Sequence, residues 1–333
     1  MKEEAGNEYQ GLNLGDMSIT VVATQYTYEY DSRRNDYDQN ATYPVVNNDA
    51  INDALQSISS GETLSIAAGM YNLPATGIPE GVRISGSGAD KTNLTMPATP
   101  YGSGKYTGLK INNPGVTISN ATVSGDSAIT SSDSYCGFID INADGAVIDN
   151  VVINNNTAYS SSIVINRGVS AGSAVQISNV VLNGGFKPIH IVDGANGTVN
   201  IDNTEITATY TLNVNSNSSQ DLVLNVTNSK LHGWTSYSTI KKASFINTEF
   251  SMGGSAYDFA RPYADTLFEN CTFDAEFQLG GGAAGKTYEL NNCTYAGEKL
   301  TAENIMNMLV TDGDDAPIKQ CTIIVDGRTV QWS

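Results

Sequence analysis

The sequence predicts an all-β fold: a single-stranded right-handed parallel β-helix, a solenoid of short strands with an N-terminal capping helix and a C-terminal helix/strand cap. Three observations carry this expectation. An apolar-alternating strand, an Asn and a second short strand recur at a near-constant period. Only 16% of the 333 residues are charged and 32 are Gly, a composition suited to many strands joined by turns. Helical character is confined to two stretches, near residues 48–58 and 301–310.

The repeat comes first because it sets the architecture. It reads VTISN-ATVS at Asn120, AVIDN-VVIN at Asn150, VQISN-VVLN at Asn179 and VNIDN-TEIT at Asn203. It continues through Asn228, Asn247, Asn270 and Asn292, with spacings of 30, 29, 24, 25, 19, 23 and 22 residues. A coil must turn sharply between its strands, and Asn tolerates the left-handed backbone region better than other non-glycine residues. Stacked coils would place these amides one strand spacing apart, where they can hydrogen-bond along a ladder and satisfy buried polar groups. Alternation around each Asn assigns Ile118, Val147, Ile177, Ile201, Val226 and Phe268 to the core.

A third strand is expected in each coil, at 108–112, 137–142, 163–166, 189–192, 212–215, 239–241, 257–260 and 277–279. The turns Pro114-Gly115, Asp144-Gly145 and Ala171-Gly172 follow the first three. The ends of a solenoid expose unpaired backbone and must be covered. Ala50, Ile51, Ala54, Leu55 and Ile58 form an apolar stripe for a first capping helix. Ile305, Met306, Met308 and Leu309 in Thr301–Val310 provide a second helical cap, completed by a strand at Thr322–Val325 and an Asp326-Gly327 hairpin turn. The expected organisation is therefore an N-terminal extension at 1–47 (a strand near Ile19 and a Tyr/Asp-rich loop), a β-helix with its N-terminal cap at 48–300, and a C-terminal cap at 301–333.

With the repeat in view, the chain resembles the pectate-lyase-like right-handed parallel β-helix superfamily, of the bacterial extracellular or surface type. NNDAINDALQSI followed by GETLSIAAGMYNL and GVRISGSGADKT is similar to the opening of such proteins, where a helix plugs the solenoid and a Gly-rich coil begins the stack. The resemblance covers about residues 48–300. It implies a fold, and no single activity, because lyases, hydrolases, esterases, adhesins and phage tailspikes share it.

Charge narrows the partners. The net charge of −18, from 17 basic and 35 acidic residues, leaves no basic surface for nucleic acid and repels polyanions. No apolar run is long enough to span a bilayer, and Met1-Lys2-Glu3-Glu4 does not begin a signal peptide. A secreted or cell-surface protein whose leader is absent from this sequence is expected, acting as a monomer. Four cysteines without C-x-x-C spacing and two histidines argue against zinc, so neither a metal nor a cofactor is expected. Cys271 and Cys293 follow corner Asn residues one coil apart, within disulfide range. In-register side chains point the same way, however, which favours stacked free thiols. The Asn-x-Ser/Thr triplets at Asn120, Asn270 and Asn292 follow from the repeat and need no glycosylation.

The resemblance implies that substrate would lie along the exposed face of the third strand. Outward positions there give the glycan-binding candidates Lys110, Asp140, Asn166, Arg167, His190, Lys241, Asp258 and Arg261, on a face that also holds Asn112, Asn142, Asn213, Asn215 and Gln278. Trp234 and Tyr237 add loop aromatics that could stack on sugars or form a wall with Phe186-Lys187-Pro188, as could Tyr26, Tyr28, Tyr30, Tyr37 and Tyr43. Solvated surface groups explain the basic residues equally well. The family's lyases carry paired basic residues or clustered calcium-binding carboxylates, and neither motif is present. A hydrolase needs carboxylates about 5–9.5 Å apart, whereas Asp140 and Asp258 are placed four coils apart. The run Thr311-Asp312-Gly313-Asp314-Asp315 resembles polygalacturonase-like acidic motifs, but it follows the cap and reads as a polar turn. The expectation is non-catalytic binding of a polysaccharide or glycoconjugate, or adhesion, with a polysaccharide lyase or glycoside hydrolase acting on a neutral or weakly charged glycan as the alternative.

Overall fold

The structure is a computed structural model that describes residues 44–129, 133–166, 168–192, 194–215, 221–311 and 320–331. The chain divides into two compact units, Met1–Thr42 and Tyr43–Ser333, and all described residues belong to the second. The expected N-terminal strand near Ile19, the tyrosines at 26, 28, 30, 37 and 43, Arg167 and the acidic run 312–315 lie outside the described residues.

The second unit is a parallel β-helix of three sheets. The first sheet leads into each corner Asn, the second leaves it, and the third closes the coil. One inward residue per coil runs up the first sheet in register: Leu64, Ile84, Ile118, Ile148, Ile177, Ile201, Val226, Phe245, Phe268, Leu290 and Val325. All are essentially buried. Ile148 holds the place expected of Val147, which is only half-buried. Side chains alternate faces with period two, so a one-residue error in register reverses a side chain.

Asn120, Asn150, Asn179, Asn203, Asn228, Asn247, Asn270 and Asn292 all adopt φ between 45° and 56°. Asn150 donates its amide to Asn120 at 2.7 Å, Asn203 to Asn179 at 2.7 Å, Asn247 to Asn228 at 3.0 Å, Asn270 to Asn247 at 3.1 Å and Asn292 to Asn270 at 2.8 Å. Twice the series turns aside to a carboxylate, with Asn179 donating to Asp149 and Asn228 to Asp202. These amides sit at the outer edge of the corner, most of them exposed, so they do not satisfy buried groups as expected.

The third sheet includes Leu109–Ile111, Gly137–Ile141, Ser161–Ile165, Ile189–Val192 and Phe277–Leu279. In the coil between Asn228 and Asn247 its strand is the far end of Lys230–Tyr237, ahead of the expected 239–241. The chain passes from second to third sheet as one continuous strand, as it also does at Glu205–Asn215 in the coil before. Tyr237 is consequently a core residue, 1% exposed, and Trp234–Tyr237 is strand rather than loop.

The N-terminal helix is Asn48–Ser57, capped by Asn47, whose side chain accepts from the Ala50 N–H at 2.8 Å. Ile51 and Leu55 enter the common core. The C-terminal cap differs from expectation. Thr301–Val310 forms only a 3₁₀ turn at Ile305–Asn307, and then Leu309–Thr311 joins the third sheet beside Phe277–Leu279. Ile305 and Met308 bury over a single turn, and the β-branched Val310 and Thr311 that follow suit a strand. Thr322–Val325 stacks on Thr287–Asn291 and turns through Asp326-Gly327, both at positive φ, into Arg328–Thr329. All four cysteines are buried, and Cys271 and Cys293 are free thiols.

Candidate functional site

The inward column of the third sheet (Leu109, Ile139, Ile163, Ile189, Leu212, Thr235, Phe259, Phe277) fixes which side chains point out. The outward row is Lys110, Asp140, Val164, His190, Asn213 and Ser236, then, past a bulge, Ala260 and Gln278. This face was expected to be open. Asp140 is 2% exposed, His190 0%, Asn213 9%, Ser236 8% and Gln278 5%, so it is a covered polar layer.

Two excursions lie over its N-terminal part, an antiparallel hairpin of Thr99–Pro100 with Tyr106–Thr107 and the segment around 133–136. Lys105 of the first pairs with Asp133 of the second at 2.5 Å. Asp140 accepts a hydrogen bond from Asn166. Burial pushes the Asp140 carboxyl up to about 6 against the opposing pull of Lys110. Burial also raises Asp133, but the Lys105 ammonium and the Tyr135 N–H outweigh it and hold that carboxylate below its usual range. The charges of both carboxylates help raise the Tyr101 hydroxyl, after its burial. His190 reaches over the adjacent coil, where its Nδ1 donates to the Ser134 carbonyl at 2.6 Å and its ring lies 4.9 Å from that of Tyr135. Burial pushes its imidazole down to about 4, so at neutral pH it is uncharged and its Nε2 is a bare acceptor.

The C-terminal part of the face is built on a bulge. Thr235 pairs with Phe259 and Tyr237 with Pro262, so Ala260 and Arg261 together oppose Ser236. Arg261 has φ 54°, the only positive-φ residue among the described residues that is neither a corner Asn, a glycine nor part of a tight turn at Ala296 or Asp326. Such strain persists where the surroundings enforce it and clusters at functional sites. Arg261 is exposed, and its charge acts on the Tyr210 hydroxyl. Asp258, just ahead of the bulge, is fully buried; it accepts from the Ala275 N–H at 3.2 Å, and burial pushes its carboxyl up to about 7.

Between the two parts an aromatic file crosses five coils: Tyr159, Phe186, Tyr210, Trp234 and Tyr257, with neighbouring ring centroids 6.1, 5.1, 4.9 and 6.0 Å apart. Tyr210 and Trp234 stack on each other, so Trp234 presents an edge rather than an open face to any sugar. The Lys187 ammonium lies over the Phe186 and Tyr210 rings at 5.7 and 5.6 Å.

Among the described residues, the buried side-chain atoms without a hydrogen-bond partner are Thr76 Oγ1, Ser162 Oγ, His190 Nε2, Asn213 Oδ1, Trp234 Nε1, Asp258 Oδ1 and Gln278 Oε1. All but Thr76 belong to the third sheet or the residue leading into it. Each such group costs about 1–3 kcal/mol, and natural proteins keep few. They gather in the covered layer of one face, shut off from solvent.

Of the sequence candidates, the structure brings Lys110, Asp140 and Asn166 together, sets His190 two strands further along, and groups Trp234, Asp258 and Arg261 at the far end. Lys241 does not join them. It is an exposed corner residue, ahead of the first-sheet strand Lys242–Ile246, because its coil has no third-sheet strand at 239–241. Asp140 and Asp258 lie five strand steps apart, roughly 24 Å at about 4.8 Å per step, so they are not an acid–base pair. Tyr101, Lys105, Asp133 and Ser162 were not found from the sequence; all but Ser162 lie outside the strands, where no periodicity registers them. No group of three His, Cys, Asp or Glu among the described residues is arranged to hold a metal ion. Likewise, no described helix is long and apolar enough to cross a membrane.

No protein-family model matches the chain, and no curated protein matches it. Two solved structures are similar to it at low identity. The Escherichia coli protein YbhC is 12% identical with a TM-score of 0.43, covering 89% of this chain and 90% of its own. The rice weevil pectin methyl esterase is 14% identical with a TM-score of 0.38, covering 67% of this chain and 84% of its own. The strand pairing itself makes the fold a three-sheet parallel β-helix.

Proposed function

We propose that this chain is an exported, monomeric β-helix protein that binds a glycan along the outer face of its third sheet. The observation that carries the reading is the half-exposed aromatic file from Phe186 to Tyr257 with the exposed Arg261 beside it, on the rim of the third-sheet face. The edges of Tyr210 and Trp234 and the Arg261 guanidinium would grip the chain from the rim. The test is binding of wild type and of Trp234→Ala and Tyr210→Ala to a panel of plant, host and microbial polysaccharides. Met70→Ala serves as control, since Met70 is 82% exposed on the second sheet. Loss of about tenfold or more in affinity for the two face variants supports the reading. Absence of any glycan ligand, or unchanged binding by both variants, refutes it.

One observation favours a second reading, cleavage of the bound glycan. Asp133 and Asp140 have environments that push their carboxyls in opposite directions, as an ionised partner and a general acid require. That reading expects activity that declines above pH of about 6 and vanishes in Asp140→Asn. Reducing-end release that ignores Asp140→Asn would exclude it.

A further inference from the structure

The outer faces of the first and second sheets meet in a groove at the Asn corners, on a different edge of the solenoid from the third sheet. Its volume is about 660 Å³, within the roughly 300–1,000 Å³ of ligand pockets, and it follows the corners from Asn120 to Asn228. Five coils border it, so it is roughly 19 Å long at about 4.8 Å per step. Its floor is open to solvent: Asn150, Asn179, Asn203 and Asn228 are all exposed. Asp149 stands on the first-sheet side, and Val181, Glu205 and Lys230, aligned in register, form the second-sheet wall.

The hydrogen bonding of this floor has a period of two coils. An Asn amide has two N–H groups and an oxygen that accepts twice. Along an unbroken ladder each oxygen takes an N–H from the next coil, as from Asn228 through Asn247 and Asn270 to Asn292, beyond the groove. Within the groove every second rung is broken. The corners at Asn150 and Asn203 read IDN, and their Asp149 and Asp202 intercept the amides of Asn179 and Asn228. Among the described residues nothing then donates to Asn150 Oδ1 or Asn203 Oδ1. Each of these amides also keeps one N–H, since Asn150 donates once, to Asn120, and Asn203 once, to Asn179. The two open rungs lie two steps apart, roughly 10 Å.

An occupant matched to this floor presents, every two coils, a group that both donates and accepts. A hydroxyl does both, whereas a carboxylate only accepts and an ammonium only donates. Asp149 and Glu205 against the single Lys230, in a chain of net charge −18, also repel a polyanion. An extended peptide repeats at about 6.7 Å for each two residues and falls out of step with the open rungs at once. A ribbon-type glycan, with both linkage bonds equatorial, keeps step. Each of its sugars is turned over relative to the last, so the same edge returns at every second residue, and one residue advances by close to one strand spacing. We propose that the corner groove from Asn120 to Asn228 binds an uncharged ribbon-type glycan laid along the solenoid axis, one sugar per coil, with alternate sugars hydrogen-bonded to Asn150 and Asn203. The site is separate from the third-sheet face and does not depend on it.

Titration calorimetry of the full chain with cello- and β-linked manno-oligosaccharides of two to six sugars tests this, with maltohexaose as the α-linked, coiling isomer of cellohexaose. Cellohexaose or mannohexaose should bind about tenfold or more tighter than maltohexaose. Affinity should rise with length and level off at four or five sugars, where the groove is full. Val181→Trp and Glu205→Trp, which raise a bulky side chain on the second-sheet wall, should each weaken binding about tenfold or more, with folding checked by thermal melting. Glu205 is exposed, so its replacement leaves the core untouched. Binding that survives both Trp substitutions, or that maltohexaose equals, overturns the groove assignment. If the same ligand is lost in Trp234→Ala instead, it sits on the third-sheet face, and glycan binding there stands while the groove assignment falls. Failure of every ribbon-type oligomer to bind overturns the groove assignment too, whatever the third-sheet face binds.

Discussion

Replacing Asp258 by Asn should make the protein more stable at alkaline pH and change little at pH 4. Asp258 is fully buried and its carboxyl lies at about 7, against 3.8 for the free group. The folded state therefore keeps a proton that the unfolded chain releases above pH 4. Between these values the folded state binds more protons, so its stability falls as pH rises and levels off above about pH 7. At 1.36 kcal/mol per pH unit, the gap amounts to roughly 4 kcal/mol of stability lost between acid and alkaline conditions through this residue alone. The Asn amide preserves the shape and the acceptor for the Ala275 N–H but cannot ionise. Carboxylates held below their usual range, such as Asp144 and Asp202, act in the opposite direction, so the difference between wild type and variant is the informative quantity. Urea midpoints measured from pH 4 to pH 9 should show the variant pulling ahead of wild type progressively through this window. Parallel curves for the two proteins, or a variant advantage largest at pH 4, would refute the reasoning.

The register makes a paired prediction: Ile148→Ala should cost about 2–5 kcal/mol by cavity formation, whereas Val147→Ala, half-buried beside it, should cost about 1 or less. Equal losses in denaturant unfolding would place the first-sheet register wrongly. At the bulge, Arg261→Gly should be about 1 kcal/mol more stable than Arg261→Ala, because only glycine relaxes at φ 54°, and both should bind glycan more weakly than wild type. An Ala variant as stable as the Gly variant would remove the case for strain at that position. Lys241→Ala, by contrast, should leave glycan affinity unchanged, since that side chain stands at a corner away from the third-sheet face.

The corners were legible because they depend on one residue type with an unusual backbone preference. The eight Asn positions needed no tertiary information, only the cost that other side chains meet at positive φ. The core column was legible to within one residue, and Val147 failed because AVIDN offers two adjacent apolar residues and alternation alone does not say which is inside. The third sheet was harder. Its strands float in segments of variable length, so Lys241 was assigned to a strand that its short coil does not contain. The covered state of Asp140, His190 and Asp258 was not legible at all, because it depends on excursions such as the Thr99–Thr107 hairpin that come from a different part of the chain. Arg261 was picked out as a charge on the right face, but nothing in Ala260-Arg261-Pro262 announces a bulge with left-handed backbone.

The uneven gaps between corner residues have a consequence for how such a molecule can change. From 30 residues between Asn120 and Asn150 to 19 between Asn228 and Asn247, the surplus is spent on either side of the third sheet, while the first sheet keeps its pairing from coil to coil. The first sheet and its Asn edge thus work as a ruler, and each coil carries a separate, replaceable flag on the opposite side. The 126–136 segment of one coil could be shortened, or grafted onto a bare one, without the neighbours having to re-register. New binding specificities would then arise by exchanging flags one coil at a time, leaving the ruler untouched.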